Sequence, residues 1–98
     1  MKLKEGVNLE GVAWQMFKAA VIAEAVFAKY GSELVITSAN DGKHGDHTLH
    51  HKGLALDIRT WHIAGREGPV IEDLKRELGD AYDVVLESDH IHLEYDPE

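Results

Sequence analysis

The chain has 98 residues, no cysteine, 44% hydrophobic residues and a formal net charge of −8 at pH 7. This length predicts one domain over residues 1–98, and the lack of cysteine excludes disulfides and sulfur-ligated structural zinc sites. Eighteen acidic against ten basic residues argue against nucleic-acid binding. Neither a signal peptide nor a membrane span is predicted, so we expect a cytoplasmic protein unless a lysis system releases it.

The first predicted element is a helix that Asn8 caps and that runs to about Tyr30. Gly31 supplies its left-handed stop. Its apolar residues recur at spacings of three and four, which predicts one buried stripe: Leu9, Val12, Ala13, Met16, Ala20, Ala23, Phe27 and Tyr30. Residues 34–37 then predict a short buried strand.

A polar loop and a second buried strand follow. Residues 39–49 are rich in Gly, Asn and Asp, which is typical of a loop that can carry a functional site. Residues 54–58 are apolar apart from Asp57. A carboxylate in such a strand is costly unless a partner compensates its charge, and a metal ion would do so.

The last third of the chain predicts a helix and a hairpin. After a loop over residues 59–68, Pro69 suits the first turn of a helix that Gly79 ends. Residues 82–95 then alternate as two strands around a Ser88-Asp89 turn. The order helix, strand, strand, helix, strand, strand predicts a small α+β domain with a mostly antiparallel sheet packed against helices.

Histidines and one carboxylate form the candidate site. His50 precedes the strand that holds Asp57, while His90 and His92 lie on one predicted strand and share a face. Two imidazoles and a carboxylate make a three-ligand set for zinc and leave the fourth position for water, as in catalytic sites. The sequence therefore predicts a small zinc hydrolase.

Two acidic residues of the hairpin are candidates for the general base. A two-residue turn would place Glu87 directly opposite His90, on the face of the two histidines. Asp89 lies three residues before His92, in the turn itself. One of these acids is expected to accept the proton of the attacking water, and the strand geometry slightly favours Glu87.

This arrangement resembles the M15 family of zinc peptidases, which includes D-alanyl-D-alanine carboxypeptidases, dipeptidases and phage endolysins that cut peptidoglycan peptides. The zinc site of the hedgehog signalling domain, which shares that fold, is also similar. The resemblance covers about residues 34–95. It rests on the strand Ile36-Thr37-Ser38 and on the motif Thr48-x-His50-x-x-Gly53-x-Ala55-x-Asp57 followed by His90-x-His92.

The resemblance implies a hedgehog/DD-peptidase-like fold and one Zn²⁺ per chain, bound by His50, Asp57 and His92. It implies that His90 stabilises developing charge and that Glu87 or Asp89 is the base. The expected substrate is a peptidoglycan peptide, and the residues implied on the substrate side are His44, Lys43 and Ser38. Many M15 peptidases carry an arginine shortly after the Thr-Ser strand, whereas Asn40 and Asp41 stand there in this chain.

Two alternatives stay open at the level of sequence. A zinc-binding module of the same fold, catalytically weak or inactive, would bind a peptide or a protein; the absent arginine and the acidic charge favour it. A plain globular domain with surface histidines would hold no metal. The oligomeric state, the scissile bond and the choice of base are left open by the sequence.

Overall fold

A computed structural model describes residues 1–39 and 53–97. The described chain forms an α+β fold with two α-helices and a five-stranded mixed sheet. In chain order the elements are β1 (Lys2–Leu3), α1 (Trp14–Lys29), β2 (Val35–Ser38), β3 (Ala55–Arg59), a 3₁₀ helix (Trp61–Ile63), α2 (Glu67–Leu78), β4 (Tyr82–Leu86) and β5 (His90–Tyr95).

The strands lie in the order β1-β2-β3-β5-β4. β1 pairs with β2 in parallel, and the other three pairings are antiparallel. The predicted α+β class and the predominance of antiparallel pairing are therefore confirmed. β1 was not predicted, because two exposed residues are too short to show a period.

Both helices pack against the same face of the sheet. Strands β3 and β5 contribute Leu56, Ile58, Ile91 and Leu93 to this core, and each of these side chains is at most 2% exposed. α1 contributes a buried stripe at spacings of three and four: Met16, Ala19, Ala20, Ala23, Val26 and Phe27. The chemistry-bearing residues of β3 and β5 therefore lie on the opposite face.

The predicted beginning of the first helix is wrong. α1 begins at Trp14, with Ala13 as its N-cap, rather than after Asn8. The Asn8 side chain instead accepts a hydrogen bond from the Glu10 backbone N–H at 2.9 Å, which closes a local turn. Gly11 has a φ of +79°, which no right-handed helix can include. The predicted stop at Gly31 is confirmed by its φ of +67°.

The second helix begins two residues earlier than predicted. α2 spans Glu67–Leu78, which places Pro69 at its third position, where the missing N–H has no intrahelical partner to lose. Gly79 follows with a φ of +85° and donates its N–H to the Lys75 carbonyl, so the predicted end is confirmed. Among the described residues, neither helix combines the length and the apolar character that a membrane span requires.

Gly53 sets the entry into β3. It has a φ of +73°, and a Cβ at this position would overlap the carbonyl oxygen of Gly11. Its own carbonyl accepts a hydrogen bond from the Ala13 N–H at 2.9 Å. Only glycine can combine this backbone conformation with such a close approach, so the start of β3 is anchored to the segment that leads into α1.

Candidate functional site

The candidate site lies on the face of the sheet opposite the helices. In the β3–β5 ladder, Asp57 lies directly opposite His92, and the next pair, Ile58 and Ile91, points into the core. Because alternate residues of a strand share a face, His90 lies on the same side as His92. The prediction that the two histidines share one face is therefore confirmed, and the structure adds that Asp57 lies on the same face.

Asp57 is the one buried charged side chain in the described part of the chain, with 6% exposure. Its Oδ1 accepts a hydrogen bond from His92 Nδ1 at 3.0 Å, and His90 Nε2 lies 3.7 Å from the same oxygen. The carboxylate of this otherwise apolar strand is thus compensated by imidazole groups. These contacts offset the free-energy cost of burying a carboxylate, which the sequence pattern had indicated.

His92 is held from both sides of its ring. Nδ1 donates to Asp57, and Nε2 donates to Glu94 Oε1 at 2.9 Å. The hydrogen bond to Asp57 is the main cause that raises the pKa of the His92 imidazole to about 9, while burial opposes the shift and Glu94 adds to it. In the absence of metal, His92 is therefore an imidazolium at neutral pH.

Glu94 is a member of this site that the sequence analysis missed. It follows His92 by two residues on β5, so the two side chains share a face. The signal was present in the sequence as His92-Leu93-Glu94. Carboxylates are common on exposed strand faces, so the alternation alone does not distinguish a partner of His92 from a solvated acid.

In the hairpin, the side chain of Asp89, rather than that of Glu87, forms a hydrogen bond with a site histidine. Asp89 Oδ1 accepts a hydrogen bond from His90 Nδ1 at 2.7 Å. Glu87 does lie opposite His90, as predicted, since its backbone N–H donates to the His90 carbonyl at 2.8 Å. The Glu87 side chain is exposed and makes no hydrogen bond to residues 1–39 or 53–97. Neither observation tests which acid acts as the base.

The remaining predicted site residues are divided between the described and the undescribed chain. Ser38 ends β2 and pairs with Asp57 at a point where the strand register shifts. His50, the third predicted zinc ligand, lies outside the described residues. His44 and Lys43, predicted on the substrate side, lie outside them as well.

Asp57 and His92 fit zinc in the chemistry of their donor atoms. A carboxylate oxygen and an imidazole nitrogen are both zinc ligands, and here they lie side by side. Ligating histidines commonly donate their second ring N–H to a carboxylate, which is the position that Glu94 takes. The described residues alone supply two of the three predicted ligands.

A different acidic group also lies on this face of the sheet. Among residues 1–39 and 53–97, the one set of three potential ligands with donor atoms within 4.8 Å of one another is Asp83, Glu94 and Asp96. These carboxylates are exposed or half-buried. Three such carboxylates suit hard cations such as Ca²⁺ rather than zinc, and exposed acidic groups are common without any ion.

No protein-family model matches this chain, and no curated protein matches it. The resemblance to the M15 peptidases therefore stays a prediction from the motif, and the functional argument rests on the residues described above.

Proposed function

We propose that this chain is a zinc-dependent peptidase that acts on bacterial cell-wall peptides, as a carboxypeptidase or an endolysin. The observation that carries the proposal is the buried Asp57 carboxylate at 3.0 Å from His92 Nδ1, with the other ring nitrogen of His92 bound to Glu94. The M15-like motif supplies the third ligand, His50, and the type of fold, a hedgehog/DD-peptidase-like domain.

The known geometry of this cluster suits a metal centre better than a structural ion pair. A structural pair needs one cation for one carboxylate, whereas Asp57 faces two histidines and His92 faces two carboxylates. Metal binding would use both residues as ligands and would retain Glu94 as the group that orients His92.

In this proposal, each side chain has a separate task. Asp57, His92 and His50 would hold the zinc ion, which would supply Lewis acidity for activating water and polarising a peptide carbonyl. Asp89 or Glu87 accepts a proton from the attacking water and returns it to the leaving amine. His90, oriented by Asp89 through Nδ1, directs Nε2 toward Asp57 and donates a hydrogen bond to the oxyanion of the substrate.

A second function, that of a zinc-binding module without turnover, is favoured by one observation. Of the two acids proposed as the base, Asp89 is hydrogen-bonded to His90, and the Glu87 side chain forms no hydrogen bond with residues 1–39 or 53–97. Besides the proposed ligand Asp57, the carboxylate that contacts His92 is Glu94, which is placed to orient a ligand rather than to serve the water. Such a module would bind a peptide or a protein through the same zinc ion.

Metal content and hydrolysis together test these two functions. We expect about one zinc per chain by plasma mass spectrometry in the wild type, and loss of the metal in Asp57→Asn and His50→Ala. Glu72→Gln is the matched control, because it removes one negative charge from an exposed acid on α2, away from the sheet face that carries the site. Zinc that survives in Asp57→Asn would contradict the proposed site.

Hydrolysis then separates the peptidase from the module. A zinc-loaded peptidase releases D-alanine or a cross-peptide fragment from purified muropeptides, and Glu87→Gln combined with Asp89→Asn abolishes that release. Zinc binding without any release identifies the module. Full activity in the double variant would exclude both acids as the base.

A further inference from the structure

A pocket adjoins the Asp57 side of the site. Its volume is about 180 Å³, and six of its lining residues matter here: Lys4, Asp57, Arg59, Trp61, Asp89 and His90. Pockets for drug-sized ligands have volumes of roughly 300–1,000 Å³, so this one suits a small group such as one end of a peptide. Lys4 and Arg59 were not predicted as site residues from the sequence.

The charges of this pocket are incompletely paired. Asp89 is bound by His90 at 2.7 Å, and Asp57 is bound by His92 at 3.0 Å. Lys4 and Arg59, in contrast, form no ion pair within 4.0 Å with any carboxylate of the described residues. The acids of the pocket are engaged by histidines, whereas within residues 1–39 and 53–97 its cations form no ion pair with an acid. An anionic group from outside the chain would therefore complete the pocket.

Arg59 is held in a position that suits such a group. It ends β3, directly opposite His90 and two residues after Asp57, on the same face of the sheet. Its guanidinium carbon lies 3.9 Å from the centroid of the Trp61 ring. This cation–π contact uses one face of the guanidinium and leaves the N–H groups at its edge available for two parallel hydrogen bonds to a carboxylate.

We propose that Arg59, stacked on Trp61 and assisted by Lys4, binds a carboxylate of the peptide ligand beside the Asp57–His92 pair. This inference rests on the proposed function for the identity of the ligand as a peptide. The carboxylate comes either from the C-terminus of the peptide or from an acidic side chain within it.

The two sources have different consequences for the reaction. Residues two apart on a strand are separated by about 6.6 Å, and one peptide residue spans about 3.6 Å. A terminal carboxylate on Arg59 would therefore bring the last or the penultimate peptide bond beside Asp57, as a carboxypeptidase needs. A side-chain carboxylate would bring an internal bond there, as an endopeptidase needs.

Binding of three peptides to the full chain tests the proposal. The probes are Nα,Nε-diacetyl-L-Lys-D-Ala-D-Ala with a free C-terminus, its C-terminal amide, and an amidated peptide with an internal D-glutamate. Isothermal titration is run on the protein as purified and after EDTA treatment. Arg59→Gln removes the guanidinium, and Lys18→Gln is the charge-matched control, because Lys18 lies exposed on α1.

We expect at least one carboxylate peptide to bind wild type and Lys18→Gln about 10- to 100-fold more tightly than the neutral amide, the range of a charge-assisted bidentate contact. Arg59→Gln should remove this difference, and Trp61→Leu should reduce it. Preference for the free C-terminus assigns the terminal source, and preference for the D-glutamate peptide assigns the side-chain source. Equal binding of all three peptides, no measurable binding of either carboxylate peptide, or a preference that survives Arg59→Gln would overturn the proposal.

A fluorescence titration locates the ligand. The chain has two tryptophans, so in Trp14→Phe the remaining emission comes from Trp61. The carboxylate peptide that binds should change this emission, and the amide should not. Zinc content is measured on the same samples. A carboxylate preference in protein that holds no zinc as purified, before any EDTA treatment, would contradict the proposed peptidase alone, whereas zinc retention without the preference would contradict the Arg59 site alone.

Discussion

The two faces of strands β3 and β5 have different tasks although they share the same backbone. On the helix-facing side, Ile58 and Ile91 pair with 0% exposure and pack into the core. On the opposite side, the adjacent pair, Asp57 and His92, carries charge and hydrogen bonds. Along each of these strands, residues that belong to the hydrophobic core therefore alternate with residues that belong to the candidate site.

This difference shows how 98 residues can combine a core and a site. Alternate residues of a strand face opposite sides of the sheet, so packing on the core side holds the strands in place. The strand positions then set the distances between the polar groups on the other side. Substitutions on the core face should thus change stability, and substitutions on the open face should change protonation and metal affinity. Three predictions test this separation, from the largest expected effect to the smallest.

The largest effect is expected for Ile58→Ala on the core face. Removing this fully buried side chain should lower the free energy of unfolding by about 2–5 kcal/mol, because burial is lost and a cavity remains. Val85→Ala is the control on the open side of edge strand β4, where Val85 is 45% exposed, and it should cost less than about 1 kcal/mol. Urea unfolding measures both. Similar losses for the two variants would refute the division of the sheet into two faces.

The next effect is a pH dependence of the metal-free protein. The folded pKa of His92 is about 9, above its ordinary value of 6.5, so its stabilising contribution is complete below pH 6.5 and is lost as the pH rises through 9. At roughly 1.4 kcal/mol per pKa unit, this loss is on the order of 3 kcal/mol. Urea unfolding at pH 6 and pH 9.5 with EDTA measures it.

His92→Gln provides the control for this pH dependence, since the variant should lack the part of the loss that His92 causes. Zinc should reverse the trend in the wild type, because a ligating imidazole must give up its proton, and metal affinity then rises with pH. If the free energy of unfolding changed with pH in the same way for wild type and His92→Gln, the hydrogen bond to Asp57 would not be what keeps the His92 imidazole protonated.

The smallest effect is expected for Glu94→Gln. Loss of the carboxylate that orients His92 should weaken zinc binding by about tenfold, at the lower end of the range for such partners, because glutamine keeps an acceptor oxygen. Competition with a chromophoric chelator measures the affinity. Glu72→Gln, an exposed acid on α2, has the same charge change and should leave zinc affinity unchanged. Equal affinities in all three proteins would exclude Glu94 from the site.

Much of the fold could be predicted because its elements have strong periodic patterns. The apolar runs of β3 and β5 and the stripe of α2 identify three elements to within about two residues. The prediction of where α1 begins was wrong because Leu9 and Val12 continue the helical spacing. Both residues pack against the core, but they lie in the turn that precedes α1. The positive φ of Gly11 breaks the helical backbone there.

The candidate site could be predicted in part for the same reason. Alternation on β5 placed His90 and His92 together, and the isolated carboxylate of Asp57 marked the facing strand. Glu94 and Arg59 were missed because their roles depend on neighbours in space, namely His92 for Glu94 and Trp61 for Arg59. No spacing rule distinguishes these two residues from other charged residues at the ends of strands.

The sequence by itself determined which residues of each strand face the core and which face away, because a two-residue period is a local property of an extended backbone. Only the tertiary structure decided that Asp57 meets His92 across 35 residues of chain, and that β3 and β5 are neighbours at the centre of the sheet. Strand order and register depend on how both helices cover one face together, and this packing involves the whole chain at once.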